Sequence, residues 1–106
     1  MRVESIPRNH ALASRPHPRP ADQALASLNQ GVHAYAMGDL AAAQRHLHRA
    51  TALNLCDSEP WYWLGRIQED LSEPLRAAQC YYLCRNSRQW GPAQDALRRL
   101  GQLGQR

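Results

Sequence analysis

Residues 58–70 read SEPWYWLGRIQED, and the order of side-chain types in this stretch decides the fold. Ser58-Glu59-Pro60 is a helix start: a hydroxyl able to cap, an acid in the electropositive first turn, and a proline where no backbone donor is needed. The helix that follows runs to about Asp70 and contains Trp61, Leu64, Gly65 and Ile67. Gly31 precedes Gly65 at a spacing of 34, and Ala43 and Ala77 keep the same spacing. Small residues at fixed offsets with a period near 34 mark stacked helical hairpins. Such repeats hold other proteins more often than they do chemistry.

Working outward, Leu25, Leu28, Val32 and Tyr35 recur at spacings of three and four, which predicts a helix from Asp22. Gly38-Asp39 interrupts it: glycine permits a left-handed turn and the Asp39 carboxylate can cap the next helix. That helix, about Leu40 to Leu53, carries Ala43, Leu47, Ala50 and Leu53 as its packing stripe. Ser72-Glu73-Pro74 repeats the start signal of Ser58-Glu59-Pro60. A fourth helix to about Asn86 places Ala77, Tyr81 and Cys84 on one side. Gly91-Pro92 opens a last helix with Leu97, Leu100 and Leu103. Before all this, residues 1–21 hold Pro7, Pro16, Pro18 and Pro20, which disfavour helix. The Arg15-to-Pro20 run should be extended, as a disordered tail or a short docking peptide. An Arg-rich, acid-poor start also mimics an organelle transit peptide.

Residues 24–57 and 58–91 resemble two tetratricopeptide repeats. The second supplies Trp61, Leu64-Gly65, Ala77, Tyr81 and Cys84 in register; the first supplies Gly31, Tyr35, Gly38-Asp39, Ala43, Leu47 and Ala50. Leu97 and Leu100-Gly101 echo Trp61 and Leu64-Gly65 at a spacing of 36, so residues 92–104 look like the capping helix of such arrays. The chain departs from the family pattern at Ser27, Gln30, Gln68 and Leu55. The expected architecture is all-α, a short helical-hairpin solenoid of about five helices: a tail over 1–21 and a helical domain over 22–106. Gly31, Ala43, Ala50, Trp61, Leu64, Gly65, Ala77 and Tyr81 are its structural repeat positions. Two and a half repeats make a small core, so a homodimer or a permanent partner is expected to help.

The resemblance implies that the first helix of each repeat lines a concave groove. Leu28, Val32, Tyr35 and Ala36 would come from the first repeat, and Tyr62, Arg66, Glu69 and Asp70 from the second. Such a surface suits an amphipathic helix, or an extended peptide with an apolar anchor and a basic residue. Some family members grip chaperone carboxylate tails with Lys, Asn and Arg. This chain has no lysine, and Val32 and Arg66 stand where Asn would be wanted, which argues against that use.

Composition narrows the alternatives. The chain has 106 residues, 13 basic and 9 acidic side chains, and a formal charge of +4. Every basic residue is arginine. Residues 1–21 have four Arg and one Glu, residues 22–73 three Arg and seven acids, residues 74–106 six Arg and one Asp. These sum to +3, −4 and +5, a pattern that could steer partners or favour self-association. Nucleic-acid binding through the tail and Arg85, Arg88, Arg98 and Arg99, with Trp90 stacking, is a weaker reading. Trp63, Tyr82 and Trp90 exceed what the repeat seam needs and motivate a rival reading, a constitutive subunit or assembly factor of a larger complex. Cys56, Cys80 and Cys84 are an odd count, and no apolar signal segment opens residues 1–21, so reduced thiols in the cytoplasm are expected. Cys80 and Cys84 lie a turn apart but suit a core better than a metal. His46 and His48 face different ways. No phosphate loop, nucleophile elbow, metal motif or membrane span stands in the sequence, so the reading is a binding module with no catalysis, cofactor or metal.

Overall fold

The structure, a computed structural model, describes residues 19–104. It is all-helical there, with five helices in chain order: α1 Pro20–Ala36, α2 Leu40–Leu53, α3 Glu59–Asp70, α4 Pro74–Leu83 and α5 Trp90–Gly104. The all-α expectation of about five helices holds. Residues 1–18 and the side chain of Leu103 lie outside the described residues, and most of the tail expectation with them. Among the described residues no helix is long and apolar enough to cross a membrane.

Three ends differ from the sequence reading. Helix α1 opens at Pro20, ahead of Asp22, because proline at the first helical position gives up a donor that has no partner there anyway. Helix α4 stops at Leu83 instead of Asn86; Cys84 leaves helical geometry and the Cys84 carbonyl accepts from the Ser87 hydroxyl at 2.9 Å, which folds the chain into a turn. Helix α5 begins at Trp90, ahead of Pro92.

The capping reading also changes. Asp39 caps α2 as its sequence suggests, accepting from the Ala42 N–H at 3.1 Å. Ser58 does not cap α3: the Glu59 N–H donates to Asp57 Oδ1 at 3.0 Å, and the buried Ser58 hydroxyl makes no hydrogen bond among the described residues. Ser72 is not a cap either. It sits at φ 62, and the Glu73 N–H reaches back to the Gln68 carbonyl at 2.8 Å while the Ser72 N–H reaches Glu69. Those are the two bonds of a Schellman helix end. The first hairpin does the same one repeat earlier, with Gly38 at φ 84, Asp39 N–H on the Ala34 carbonyl and Gly38 N–H on Tyr35.

The period is also visible in the packing. A Cβ at Gly31 would lie 2.6 Å from Leu47 Cγ, and a Cβ at Gly65 2.6 Å from Tyr81 Cε1. In each hairpin the glycine lets the following helix press a bulky side chain against its backbone, and Leu47 and Tyr81 are themselves one period apart. Ala43, Leu47, Ala50, Ala77, Tyr81 and Cys84 are all fully or almost fully buried.

These contacts build two cores. The first gathers Leu28, Ala43, Leu47, Ala50, Leu64 and Ile67; the second gathers Tyr62, Ala77, Tyr81, Cys84, Ala93 and Ala96. Helix α3 belongs to both, and Trp61 and Trp63 pack against each, so this one helix ties the hairpins together. That double duty explains why α3 is apolar on more than one face.

Candidate binding face

Helix α3 also carries the polar residues expected to meet a partner. Leu28 and Tyr62, read from sequence as groove residues, are 5% and 7% exposed. Both belong to the cores, Leu28 against α2 and α3 and Tyr62 against Tyr81, with ring centroids 5.8 Å apart. Their burial corrects them to packing residues; only the Tyr62 hydroxyl takes part in the polar face, accepting from Arg66 Nη1 at 3.0 Å. Val32 and Tyr35 are half-buried against the first core, and Ala36 is exposed.

The remaining residues form a chain of contacts from α1 through α3 to α5. The Tyr35 hydroxyl donates to Asp70 Oδ2 at 2.9 Å. Burial, helped by that carboxylate, pushes the Tyr35 phenol up. The Arg66 guanidinium lies 5.5 Å from the Tyr35 ring centroid and 5.9 Å from that of Tyr62, within cation–π range of both. Trp63 completes the aromatic wall, 6.1 Å from Tyr35 and 5.1 Å from Tyr62. Its indole N–H is buried and makes no hydrogen bond among the described residues.

Glu69 plays a different part from the one expected. It accepts from the Tyr81 hydroxyl, and Arg99 Nη2 donates to both its oxygens at 2.8 Å. One carboxylate on α3 thus fastens α4 and α5. Burial first, then that carboxylate, pushes the Tyr81 phenol far above its ordinary range, so Tyr81 is the proton donor. Arg99 neutralises the Glu69 part of the negative charge expected to attract a basic peptide, while Asp70 accepts from the neutral Tyr35 phenol and keeps its charge.

Arg66 is left as the cation of this face with no carboxylate within ion-pair distance among the described residues. It and Arg99 line one cavity of about 300 Å³ between α3 and α5, with Tyr62, Pro92, Asp95 and Ala96. Bonding to the Tyr62 hydroxyl raises Arg66 further above its ordinary value, so its charge is permanent. Chemically, the face offers a flat guanidinium held by two rings, with donors to spare for an acceptor. Sequence reasoning singles out Arg66 here and misses the part Arg99 plays. No repeat signal marks it, because Arg99 follows Glu69 by 30 residues, out of step with the period of 34.

The arginines advanced for nucleic-acid contact are largely engaged. Arg88 bonds Glu59 at 3.1 Å, Arg98 pairs with Asp95, and Arg99 holds Glu69. Trp90 packs against the second core. Of the histidines of α2, His48 rests edge-on to Trp61 at 6.4 Å. All three cysteines are free, and burial pushes the Cys80 and Cys84 thiols up. Among the described residues no cluster of His, Cys, Asp and Glu could hold a metal. Comparison with protein families, with curated proteins and with solved structures finds no match to this chain.

Proposed function

We propose that this chain is a short tetratricopeptide-like module that holds a peptide or helix of a partner protein on the face shared by α1, α3 and α5. The observation that carries the reading is the guanidinium of Arg66, clamped between Tyr35 and Tyr62 beside an open cavity. Two hairpins with the same glycine contact and the same helix end, one period apart, support the repeat assignment. In such an array α1, α3 and α5 are the first helices of successive repeats and would line the concave side.

The partner chemistry follows from which charges are left. Glu69 is paired with Arg99 whereas Arg66 has no ion-pair partner among the described residues, so the ligand supplies the acceptor: an acidic side chain or a carbonyl-rich extended segment that meets Arg66. An apolar group beside it would rest on Val32 and Ala36. The module acts by presenting a preformed surface, without covalent chemistry, and its free thiols suit a reducing cytoplasm.

Affinity capture from native lysate, run with wild type beside Arg66→Gln, tests this reading. A partner lost by the variant, with the circular dichroism spectrum unchanged, is expected. A partner held equally by both would remove this face from the interaction.

A constitutive-subunit reading has one observation in its favour. Trp63 and Trp90 are absorbed into the cores, but Tyr82 stays 59% exposed on α4.

A further inference from the structure

Gly31 and Gly65 each receive a bulky side chain from the helix that follows, whereas among the described residues Gly101 of α5 has no atom within 4 Å of where a Cβ would stand. Leu100-Gly101 is the counterpart of Leu64-Gly65, so this is the one glycine socket of the three that the described residues leave empty. It opens into a cavity of about 380 Å³ between α4 and α5, walled by Leu75, Ala78 and Tyr82 on one side and Leu97 and Leu100 on the other. Leu75 is 81% exposed. In the preceding hairpins the corresponding place is taken by a helix of the chain itself: α2 seats Leu47 on Gly31, and α4 seats Tyr81 on Gly65.

Charge selects the occupant. Residues 74–104 carry Arg76, Arg85, Arg88, Arg98 and Arg99 against Asp95 alone. Three of these arginines are paired with Glu59, Asp95 and Glu69, and Arg76 and Arg85 have no carboxylate partner among the described residues. A second copy meeting this surface through its own α4 and α5 would bring the same basic helices against it, and like charges across an interface repel.

We propose that the α4–α5 valley seats an amphipathic helix of a partner protein, apolar on one face and flanked by Asp or Glu, which extends the stack as a sixth helix. Its apolar face covers Leu75, Tyr82 and Leu97, and a bulky side chain enters the socket at Gly101. This surface is distinct from the one around Arg66 and does not depend on it.

Two fluorescein-labelled helical peptides test the proposal. Both carry leucines at i, i+3, i+4 and i+7; one has glutamates on the flanking positions and the other lysines. Each is titrated with the full chain and followed by anisotropy. The glutamate peptide is expected to bind at least about tenfold tighter than the lysine peptide, and to weaken as salt rises. Gly101→Glu, which no neighbour obstructs and which helix propensity favours, is expected to weaken it by about tenfold or more. Equal binding of the two peptides, binding of neither, or indifference to Gly101→Glu would overturn the proposal. So would weakening by Arg66→Gln in place of Gly101→Glu, which would put the peptide on the other face. A dimer of the chain alone in light scattering, dissociated by Gly101→Glu, would assign the valley to a second copy and overturn it too.

Discussion

Replacing Gly65 by alanine tests the glycine contact directly. The added Cβ would meet Tyr81 Cε1 at 2.6 Å and Cδ1 at 2.7 Å, closer than carbon atoms tolerate, so one side must move. Tyr81 has little freedom to do so. It is fully buried, its hydroxyl donates to Glu69, and its ring lies against Tyr62. Overpacking of this kind costs about 1–3 kcal/mol. Against it stands the helix propensity of alanine over glycine, about 1 kcal/mol in a helix interior. The net expectation is a loss of about 0–2 kcal/mol, a range that touches zero. The informative quantity is therefore the contrast with Gly101→Ala. There the same chemical change meets no atom of the described residues within 4 Å, so only the propensity gain remains. Because both variants exchange glycine for alanine, the effect on the unfolded chain largely cancels between them. Gly65→Ala should be less stable than Gly101→Ala by about 1–3 kcal/mol in urea unfolding followed by far-ultraviolet circular dichroism. Equal stability of the two variants would refute the close contact between α3 and α4, and with it the physical basis of the repeat period.

Other perturbations probe the turns, the polar staple and the titrating groups. Ser72 holds a left-handed conformation that costs an L side chain about 1–2 kcal/mol, so Ser72→Gly should stabilise the chain by about 0.5–1 kcal/mol after the entropy of the freer unfolded chain is deducted; no gain in melting temperature would contradict the φ 62 geometry. Glu69→Ala should cost about 1–2 kcal/mol by stranding the buried Tyr81 hydroxyl, whereas Arg99→Ala, whose side chain is 55% exposed, should cost less than about 1 kcal/mol; a larger loss for Arg99→Ala in denaturant titration would show that the ion pair dominates. The phenols of Tyr35 and Tyr81 and the thiols of Cys80 and Cys84 all sit above their ordinary values. A raised acid loses its proton more readily in the unfolded chain, so stability is full below the unfolded values, near pH 8.5 for thiols and 10 for phenols, and falls as pH rises past them. The melting temperature should be level from about pH 6 to 8 and decline above about pH 9; a rise there would reverse the sign of the burial argument.

Much of the fold is legible in the sequence because packing and helix starts leave local marks. Gly31, Gly65, Ala43 and Ala77 announce close approach, and Pro60, Pro74 and Asp39 announce helix starts. The caps are ambiguous where a serine could serve either way. Nothing in Ser58 or Ser72 alone tells whether the hydroxyl bonds a backbone donor. That is settled by which neighbour is nearer: Asp57 in one case, and the Schellman bonds to Gln68 and Glu69 in the other. The face is less legible. Leu28 and Tyr62 share a helical face with residues that are exposed, and only the placement of α2 and α4 decides that they are core. The role of Glu69 depends on Arg99, most of a repeat away on a helix whose register departs from the strict period.

The repeat itself offers a way to separate packing from recognition. From one repeat to the next the seam positions exchange like for like: Gly31 with Gly65, Ala43 with Ala77, Leu47 with Tyr81, Ala50 with Cys84. Each pair is buried, and each member meets a comparable demand for volume. The positions on the face do not exchange this way: Val32 answers to Arg66, Tyr35 to Glu69, Ala36 to Asp70. Packing constraints that repeat would give residues that repeat, so these three pairs reflect something that differs between the hairpins. For Glu69 the difference is internal, because α4 and α5 are fastened through it. For Asp70 it is also internal, a partner for the Tyr35 hydroxyl. Arg66 is held by two rings and one phenol oxygen, a restrictive arrangement for a charge that fastens no other helix through an ion pair. A residue restrained in this way, with donors left over and a cavity beside it, suits the ligand-binding role proposed for Arg66, and a single neutral replacement there discriminates between a binding face and a solvated helix surface.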